Sequence, residues 1–159
     1  MDKQKVYSDL VDTLLKQFGP RLKTIILFGS QSRGEARPGS DHDIFVVIDN
    51  LPIDPLARRR QVMTCLLPVL PTLPEHLSII AKTPQEVSGD LTPLLIDIGV
   101  DGISLYGRAY FRDLQTRVRE SLRHDQLQRR RLAGTWMWML PGFSHKEKTI
   151  AEASSRERA

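Results

Sequence analysis

Two short apolar runs, residues 24–28 and 43–48, constrain the fold of this chain more than any other feature. Both are rich in β-branched and aromatic residues and have the length of buried strands. The first run is followed at once by Gly-Ser, residues 29–30, and the second begins within Asp-His-Asp, residues 41–43. The pattern predicts two strands with a sharp glycine turn and a pair of carboxylates between them.

Helical patterns surround these strands. The spacing of Val6, Leu10 and Leu14 predicts an amphipathic helix that ends at Gly19-Pro20. Further helices are predicted over 55–67, 91–98 and from 109 to near 134, and further strands over 77–81 and 102–106. Interspersed helices and strands predict an α/β or α+β fold with a small mixed β-sheet flanked by helices.

Two proline patterns give local predictions. Prolines recur at every third position from 68 to 74, which predicts an extended connector because proline fixes φ and lacks an N–H. Thr83 is followed by Pro84 and Glu86, which predicts a helix start with a capping box.

The chain is interpreted as a domain over residues 1–132 and a C-terminal tail over 133–159. The tail begins with an aromatic segment and ends in a charged stretch without periodicity, which predicts disorder at its end. Trp136 and Trp138 lie in the aromatic segment. They either complete the core of the domain or form a subunit contact in a homodimer, since aromatic residues are enriched at interfaces.

The polar stretch between the first two strands suits a metal and a phosphate. Asp41 and Asp43 lie on one face if the strand extends back to Asp41, and their charges repel unless a cation lies between them. Mg²⁺ accepts one or two carboxylates together with substrate phosphates. Gly29 lets the backbone approach a ligand, Ser30 offers a hydroxyl at a possible helix start, and Arg33 supplies positive charge.

The charge pattern favours no nucleic-acid partner. The net charge is +4, and arginines are concentrated in two runs, 58–60 and 129–131. We interpret both runs as solvated helix faces. The alternative is that the arginines at 117, 119, 123 and 129–131 contact nucleic acid electrostatically. We do not favour it, because no nucleic-acid motif accompanies them and no aromatic residue lies within that run. Cys65 is the only cysteine, so the sequence contains neither a disulfide framework nor a cysteine-rich metal site.

The location predicted from the sequence is the cytoplasm. No apolar stretch approaches the roughly 20 residues of a membrane helix, and no membrane association is expected. The first ten residues lack the apolar core of a signal peptide.

The polar stretch also follows a known family pattern, G-S-x-x-R-G followed by S-D-x-D. In this chain the pattern is formed by Gly29-Ser30, Arg33-Gly34, Ser40-Asp41 and Asp43. It resembles the minimal nucleotidyltransferases of the DNA polymerase β superfamily. The order of helices and strands over about residues 5–88 agrees with the polymerase β-like nucleotidyltransferase fold of that family.

This resemblance implies the transfer of a nucleoside monophosphate, AMP in the first instance, from ATP or another nucleoside triphosphate to an acceptor hydroxyl. Asp41 and Asp43 would be the catalytic metal ligands for Mg²⁺ or Mn²⁺. The nucleotide-binding residues would be Gly29, Ser30, Arg33 and Ser40. Small members of the family act on protein partners, so the resemblance also implies a HEPN-type toxin protein that the chain silences.

One part of the family pattern is absent. Relatives have a third carboxylate on the next strand, and alignment on the Thr-Pro-Gln-Glu helix start puts Ser78 at that position. Serine is neutral and binds a hard cation weakly. Glu75 is a possible replacement. His76 is a possible base rather than a metal ligand, but is interpreted as an exposed loop imidazole. The alternative to an active enzyme is therefore a catalytically weakened nucleotide-binding module that acts as an antitoxin-like or regulatory partner subunit.

Overall fold

The computed structural model describes residues 2–140, in which helices and strands are interspersed. The strands are β1 (Leu22–Phe28), β2 (His42–Ile48), β3 (Leu77–Lys82), β4 (Ile103–Tyr106), β5 (Gln128–Leu132) and β6 (Thr135–Met139). The α-helices are α1 (Lys3–Val6), α2 (Ser8–Phe18), α3 (Ser30–Arg33), α4 (Pro55–Leu66), α5 (Pro84–Ser88), α6 (Pro93–Asp101) and α7 (Arg108–Asp125). Two 3₁₀ helices span Gly19–Arg21 and Leu67–Thr72.

The first four strands form one mixed sheet in the order β3-β2-β1-β4. Strand β1 is antiparallel to both β2 and β4, whereas β2 is parallel to β3. The register places Phe28 opposite Asp43 and Asp43 opposite Ser78. The predicted small mixed sheet flanked by helices is confirmed.

The two central strands are covered on both faces. The buried residues of β2 run without interruption from Ile44 to Ile48, which explains why this strand is continuously apolar in the sequence. One face of the sheet packs against α2 and α4. The buried residues of these helices include Leu10, Leu14 and Leu66. Helices α6 and α7 also lie in contact, since a Cβ built on Gly99 would be 2.6 Å from Val118 Cγ2.

Side-chain caps fix where the helices begin. Thr83 accepts from the Glu86 N–H while the Glu86 carboxylate accepts from the Thr83 N–H, so the predicted capping box is present. The Asp54 carboxylate caps α4, and the Thr92 hydroxyl caps α6. All three helices have proline in the first turn, where its missing N–H costs no helical hydrogen bond.

The predicted extended connector at prolines 68–74 is wrong for most of its length. Leu67–Thr72 forms a 3₁₀ helix that contains Pro71. Proline's φ suits a 3₁₀ turn as well as an extended chain, so the spacing alone does not separate them. The Thr72 hydroxyl donates to the Val69 carbonyl at 2.8 Å, and the Leu73 N–H donates to the Leu70 carbonyl at 3.1 Å.

The predicted continuation of the last helix to residue 134 is also wrong. Helix α7 ends at Asp125, and β5 and β6 then form an antiparallel hairpin. Its two-residue loop is Ala133-Gly134, with φ values of +47° and +85°. Positive φ at both central residues is the geometry of a type I′ turn, which matches the twist of paired strands.

The chain divides into two compact units, Met1–Val118 and Arg119–Ala159. The β5–β6 hairpin lies in the second unit and includes residues on both sides of the predicted boundary at 132. The disorder predicted for the end of the tail concerns residues outside the described range. Within residues 2–140, no helix is long and apolar enough to cross a membrane.

Candidate functional site

The turn after β1 brings backbone against a carboxylate. Gly29 has φ +74° and ψ −153°, a conformation that is essentially restricted to glycine. A Cβ built on it would lie 2.5 Å from Asp43 Oδ2. Glycine is therefore required here twice, by the backbone angle and by the close approach to Asp43.

A single helical turn follows Gly29. Helix α3 begins at Ser30 and is closed by Gly34, whose φ of +72° is left-handed. The Ser32 hydroxyl donates to the Gly29 carbonyl at 2.9 Å and ties the turn together. The first N–H groups of a helix have no carbonyl of the same helix to donate to. Those of Ser30 and its neighbour are thus placed beside the Gly29–Asp43 contact.

The two aspartates interact with one another. Asp43 is half-buried in β2, between Phe28 of β1 and Ser78 of β3, whereas Asp41 is exposed just before the strand. Burial raises the pKa of the Asp43 carboxyl, and the negative charge of Asp41 raises it further. The Ser78 hydroxyl and the Arg33 guanidinium act in the opposite direction. The structure therefore brings together Asp41, Asp43, Ser78 and Arg33, which sequence analysis had identified as candidates.

The donor atoms at this position suit a hard cation. Two carboxylates with a like-charge conflict and a neighbouring hydroxyl match the oxygen ligands with which Mg²⁺ is bound together with substrate phosphates. In the described part of the chain, no group of three or more His, Cys, Asp or Glu side chains could hold a metal ion by itself. A cation held by Asp41 and Asp43 would complete its coordination with water or substrate oxygens.

Arg33 is held by two carboxylates. Its Nε lies 3.1 Å from Glu35 Oε2, and its Nη1 lies 3.6 Å from Asp101 Oδ2 at the end of α6. The Arg33 side chain is 22% exposed and that of Asp101 15%, whereas that of Glu35 is 42% exposed. Asp101 is therefore the less exposed of the two partners. No local pattern predicts the Arg33–Asp101 pair, because 68 positions separate its members.

His42, between the two aspartates, is fixed on both ring nitrogens. The Tyr7 hydroxyl lies 2.6 Å from Nδ1, and the Gln31 amide nitrogen lies 3.2 Å from Nε2. Burial lowers the pKa of His42, and nearby His76 lowers it further, although Asp43 and Asp41 oppose the shift. A neutral imidazole with one donating and one accepting nitrogen satisfies both contacts. Sequence reasoning missed Tyr7 and Gln31, which no local pattern connects to His42.

A cavity of about 360 Å³ adjoins this histidine. Its lining residues are Gln31, Arg37, Pro38, Gly39, Ser40, His42, Pro74, Glu75 and His76. The Ser40 hydroxyl accepts the Arg37 N–H at 2.8 Å, so it closes a local turn in the cavity wall. Glu75 and His76 precede β3, and the prediction of an exposed loop imidazole at His76 is confirmed.

Residues 8–100 match the family of the nucleotidyltransferase domain. The chain belongs to that family. The matched range contains every site residue predicted from the sequence, from Gly29 to Ser78, and does not include the β5–β6 hairpin.

Two curated relatives agree with the assignment. MJ1305, a candidate protein adenylyltransferase of Methanocaldococcus jannaschii, is 30% identical over 113 residues, which are 68% of this chain and 77% of the relative. MJ0604 of the same organism, also named as a candidate protein adenylyltransferase, is 41% identical over 49 residues. That shorter match covers 31% of this chain and 49% of the relative.

Among solved structures, a crystal structure of a toxin–antitoxin with AMP-PNP is similar to this chain at a TM-score of 0.49. The two are 22% identical, and the alignment covers 74% of this chain and 91% of the other. The assignment to the nucleotidyltransferase domain family depends on the sequence matches.

Proposed function

We propose that this chain is a metal-dependent nucleotidyltransferase that moves AMP from ATP to a hydroxyl group of a protein acceptor. The contact that supports this most strongly is the one between Gly29 and Asp43. A Cβ at position 29 would be 2.5 Å from the Asp43 carboxylate. Phosphate bound at the turn would therefore lie next to the carboxylates that would share a cation with it.

The site residues predicted between β1 and β2 have separate roles in this proposal. The backbone N–H groups of Ser30 and Gln31 and the Ser30 hydroxyl would bind the terminal phosphates, and Arg33 would balance their charge. Asp41 and Asp43 would hold Mg²⁺ or Mn²⁺, which would neutralise the triphosphate and favour in-line attack at the α-phosphorus. Ser40 would shape the wall of the adjoining cavity, because its hydroxyl is engaged in the Arg37 turn.

The reaction balances without a further reactant. The acceptor oxygen forms a bond to the α-phosphorus, and the bond from that phosphorus to the oxygen bridging to the β-phosphate breaks. Pyrophosphate leaves with that oxygen, and the proton of the acceptor hydroxyl goes to a base or to water. The products are an adenylylated acceptor and pyrophosphate.

A protein acceptor is proposed because both curated relatives are named as candidate protein adenylyltransferases. The partner class implied by the family resemblance is a HEPN-type toxin, which adenylylation would silence. ATP is proposed over other nucleoside triphosphates for the same reason.

The test is label transfer from α-labelled ATP into a lysate of the native host with Mg²⁺ or Mn²⁺. We expect one labelled protein band with the wild type and none with Asp43→Asn. A labelled nucleic acid would refute the protein acceptor. Equal labelling by Asp43→Asn would refute the role of the metal ligands.

A second candidate function is a nucleotide-binding partner subunit with little or no transferase activity. Ser78 supports it, since it lies opposite Asp43 at the position where the family resemblance implies a carboxylate. ATP binding without label transfer under either metal would favour this candidate. Label transfer by the wild type would exclude it.

A further inference from the structure

The formal charge of the chain is divided unevenly between its two compact units. Residues 1–118 contain fourteen Lys and Arg and fourteen Asp and Glu, whereas residues 119–159 contain nine and five. The whole excess of +4 therefore lies in the unit that contains the hairpin. A concentrated positive charge raises the local concentration of a polyanion.

The β5–β6 hairpin arranges two of its arginines with two tryptophans. Arg129 is paired across the strands with Trp138, and Arg131 with Trp136. The Arg129 guanidinium lies 5.1 Å from the Trp136 ring centroid and 5.4 Å from that of Trp138, and the Arg131 guanidinium lies 5.7 Å from Trp136. These contacts form a stack in the order Trp138, Arg129, Trp136, Arg131, which we name the arginine–tryptophan ladder.

The ladder shows that the interpretation of the arginine run 129–131 as a solvated helix face is wrong, because the run lies in a strand. The sequence places no aromatic residue within the arginine run, but antiparallel pairing brings the tryptophans beside it. The ladder ends at the guanidinium of Arg131, which is exposed. The ladder alternates aromatic rings and guanidinium groups, so another flat ring would extend it beyond Arg131. A nucleobase can do this, because guanidinium groups stack on nucleobases as they do on aromatic rings.

Further arginines of this unit are exposed. Arg130 projects from the other face of the hairpin, and Arg119 and Arg123 lie on the last turns of α7. Exposed arginines pair with phosphates and release the counterions of a nucleic-acid strand. Stacking planes and phosphate-binding cations thus occur within one small unit.

We propose that the β5–β6 hairpin binds single-stranded nucleic acid, with a base stacked on the Arg131 end of the ladder and phosphates bound by the exposed arginines. A single strand suits the ladder because its base faces are accessible, whereas those of a duplex are covered by their neighbours. An acidic peptide would supply charge without flat rings. This surface is independent of the proposed transferase site.

The other arginine run provides a matched control. Arg58 is buried and its Nη1 lies 2.7 Å from Glu86 Oε2, while Arg59 and Arg60 are exposed on α4. Within residues 2–140, no cation–π contact involves this run. Arg59→Ala therefore removes an exposed arginine without touching a ladder.

The experiment is fluorescence anisotropy of the full chain with labelled oligo(dT) and oligo(U) of about 12 nucleotides, within the length that one single-strand-binding module covers. We expect Arg131→Ala to weaken binding about fivefold to tenfold, in the range of one lost stacking contact. Its slope of log affinity against log salt should fall by about 0.7, the value for one phosphate contact. Arg131→Lys should keep the wild-type slope and still weaken binding about threefold, because it keeps the charge and loses the plane.

Four results would overturn the proposal. The first is that neither oligonucleotide binds at about 50 mM salt, and the second is that Arg59→Ala loses as much affinity as Arg131→Ala. The third is an equal affinity for duplex DNA or poly-glutamate. The fourth is binding to anionic lipid vesicles that Arg131→Ala abolishes, while neither oligonucleotide binds. Trp136→Ala adds a check, provided that circular dichroism shows an intact fold. It should weaken strand binding at least as much as Arg131→Ala.

Discussion

The two strands that flank β2 contribute unequally to the candidate site. On the β1 side, the Gly29 backbone touches Asp43, and Ser30 and Arg33 follow within one helical turn. On the β3 side, Ser78 is opposite Asp43 and supplies a neutral hydroxyl. The half proposed to bind the nucleotide is thus built by one continuous stretch of chain, whereas the other half depends on a separate strand that carries no carboxylate opposite Asp43.

The largest expected effect concerns the two aspartates, which both halves share. Asp43→Asn should lower label transfer about a thousandfold, and Asp41→Asn about a hundredfold, since a metal contributes several kcal/mol to such a transition state. The difference follows from position, because Asp43 is half-buried between the two strands and Asp41 is exposed. Single-turnover transfer with both variants checks the order. A larger loss in Asp41→Asn would reverse the assignment of the principal ligand.

Gly29→Ala tests the β1 half alone. The substitution places a methyl group against Asp43 and forces a glycine-only backbone angle, so we expect a loss of stability of about 2–3 kcal/mol and ATP affinity lowered more than about tenfold. Urea denaturation and ATP titration measure the two effects. Gly34→Ala is the matched control, since its φ is +72° but nothing lies within 4 Å of its added Cβ. Equal ATP affinities of the two variants would argue against the Gly29–Asp43 contact as the phosphate cradle.

Ser78→Asp tests the β3 half. A carboxylate opposite Asp43 adds a hard ligand for a cation, so we expect label transfer to rise about tenfold. Ser78→Asn serves as the control of similar shape without the charge. A wild type that already turns over well, together with no gain in Ser78→Asp, would show that the β3 half is not weakened.

Asp101 gives the smallest expected effect. Its carboxylate lies 3.6 Å from Arg33 Nη1, so it positions a residue that would bind phosphate. Asp101→Asn should raise the KM for ATP about threefold to fivefold with kcat almost unchanged, in keeping with a partly exposed ion pair. Asp101→Glu should restore the KM. Asp90→Asn, an exposed loop carboxylate, should leave it unchanged.

Much of the site was predictable because its signals are local. The apolar strands, the glycine turn and the Asp-x-Asp pair lie within 25 consecutive positions, from 24 to 48, and the capping box lies within four. The contacts that escaped prediction join distant residues. The Tyr7 hydroxyl forms a hydrogen bond with His42, which is 35 positions away, and no periodicity connects the two residues.

The two wrong predictions, the extended connector at 68–74 and the helix to residue 134, have one physical cause. A short sequence pattern fits more than one backbone conformation. Proline at every third position suits both an extended chain and a 3₁₀ helix. The arginine run after α7 continued a helical pattern, but Ala133-Gly134 allowed a two-residue turn that paired the run with the tryptophans. Pairing partners, not the run itself, decided its structure.

The most direct test of the unequal halves is a calorimetric titration of ATP with Mg²⁺ into the wild type, Ser78→Ala and Asp43→Asn. If the β1 side and the aspartates hold the nucleotide, the wild type binds ATP only with Mg²⁺, Ser78→Ala binds within about twofold of it, and Asp43→Asn loses binding. Loss of ATP binding in Ser78→Ala equal to that in Asp43→Asn, or unchanged binding in Asp43→Asn, would contradict the account.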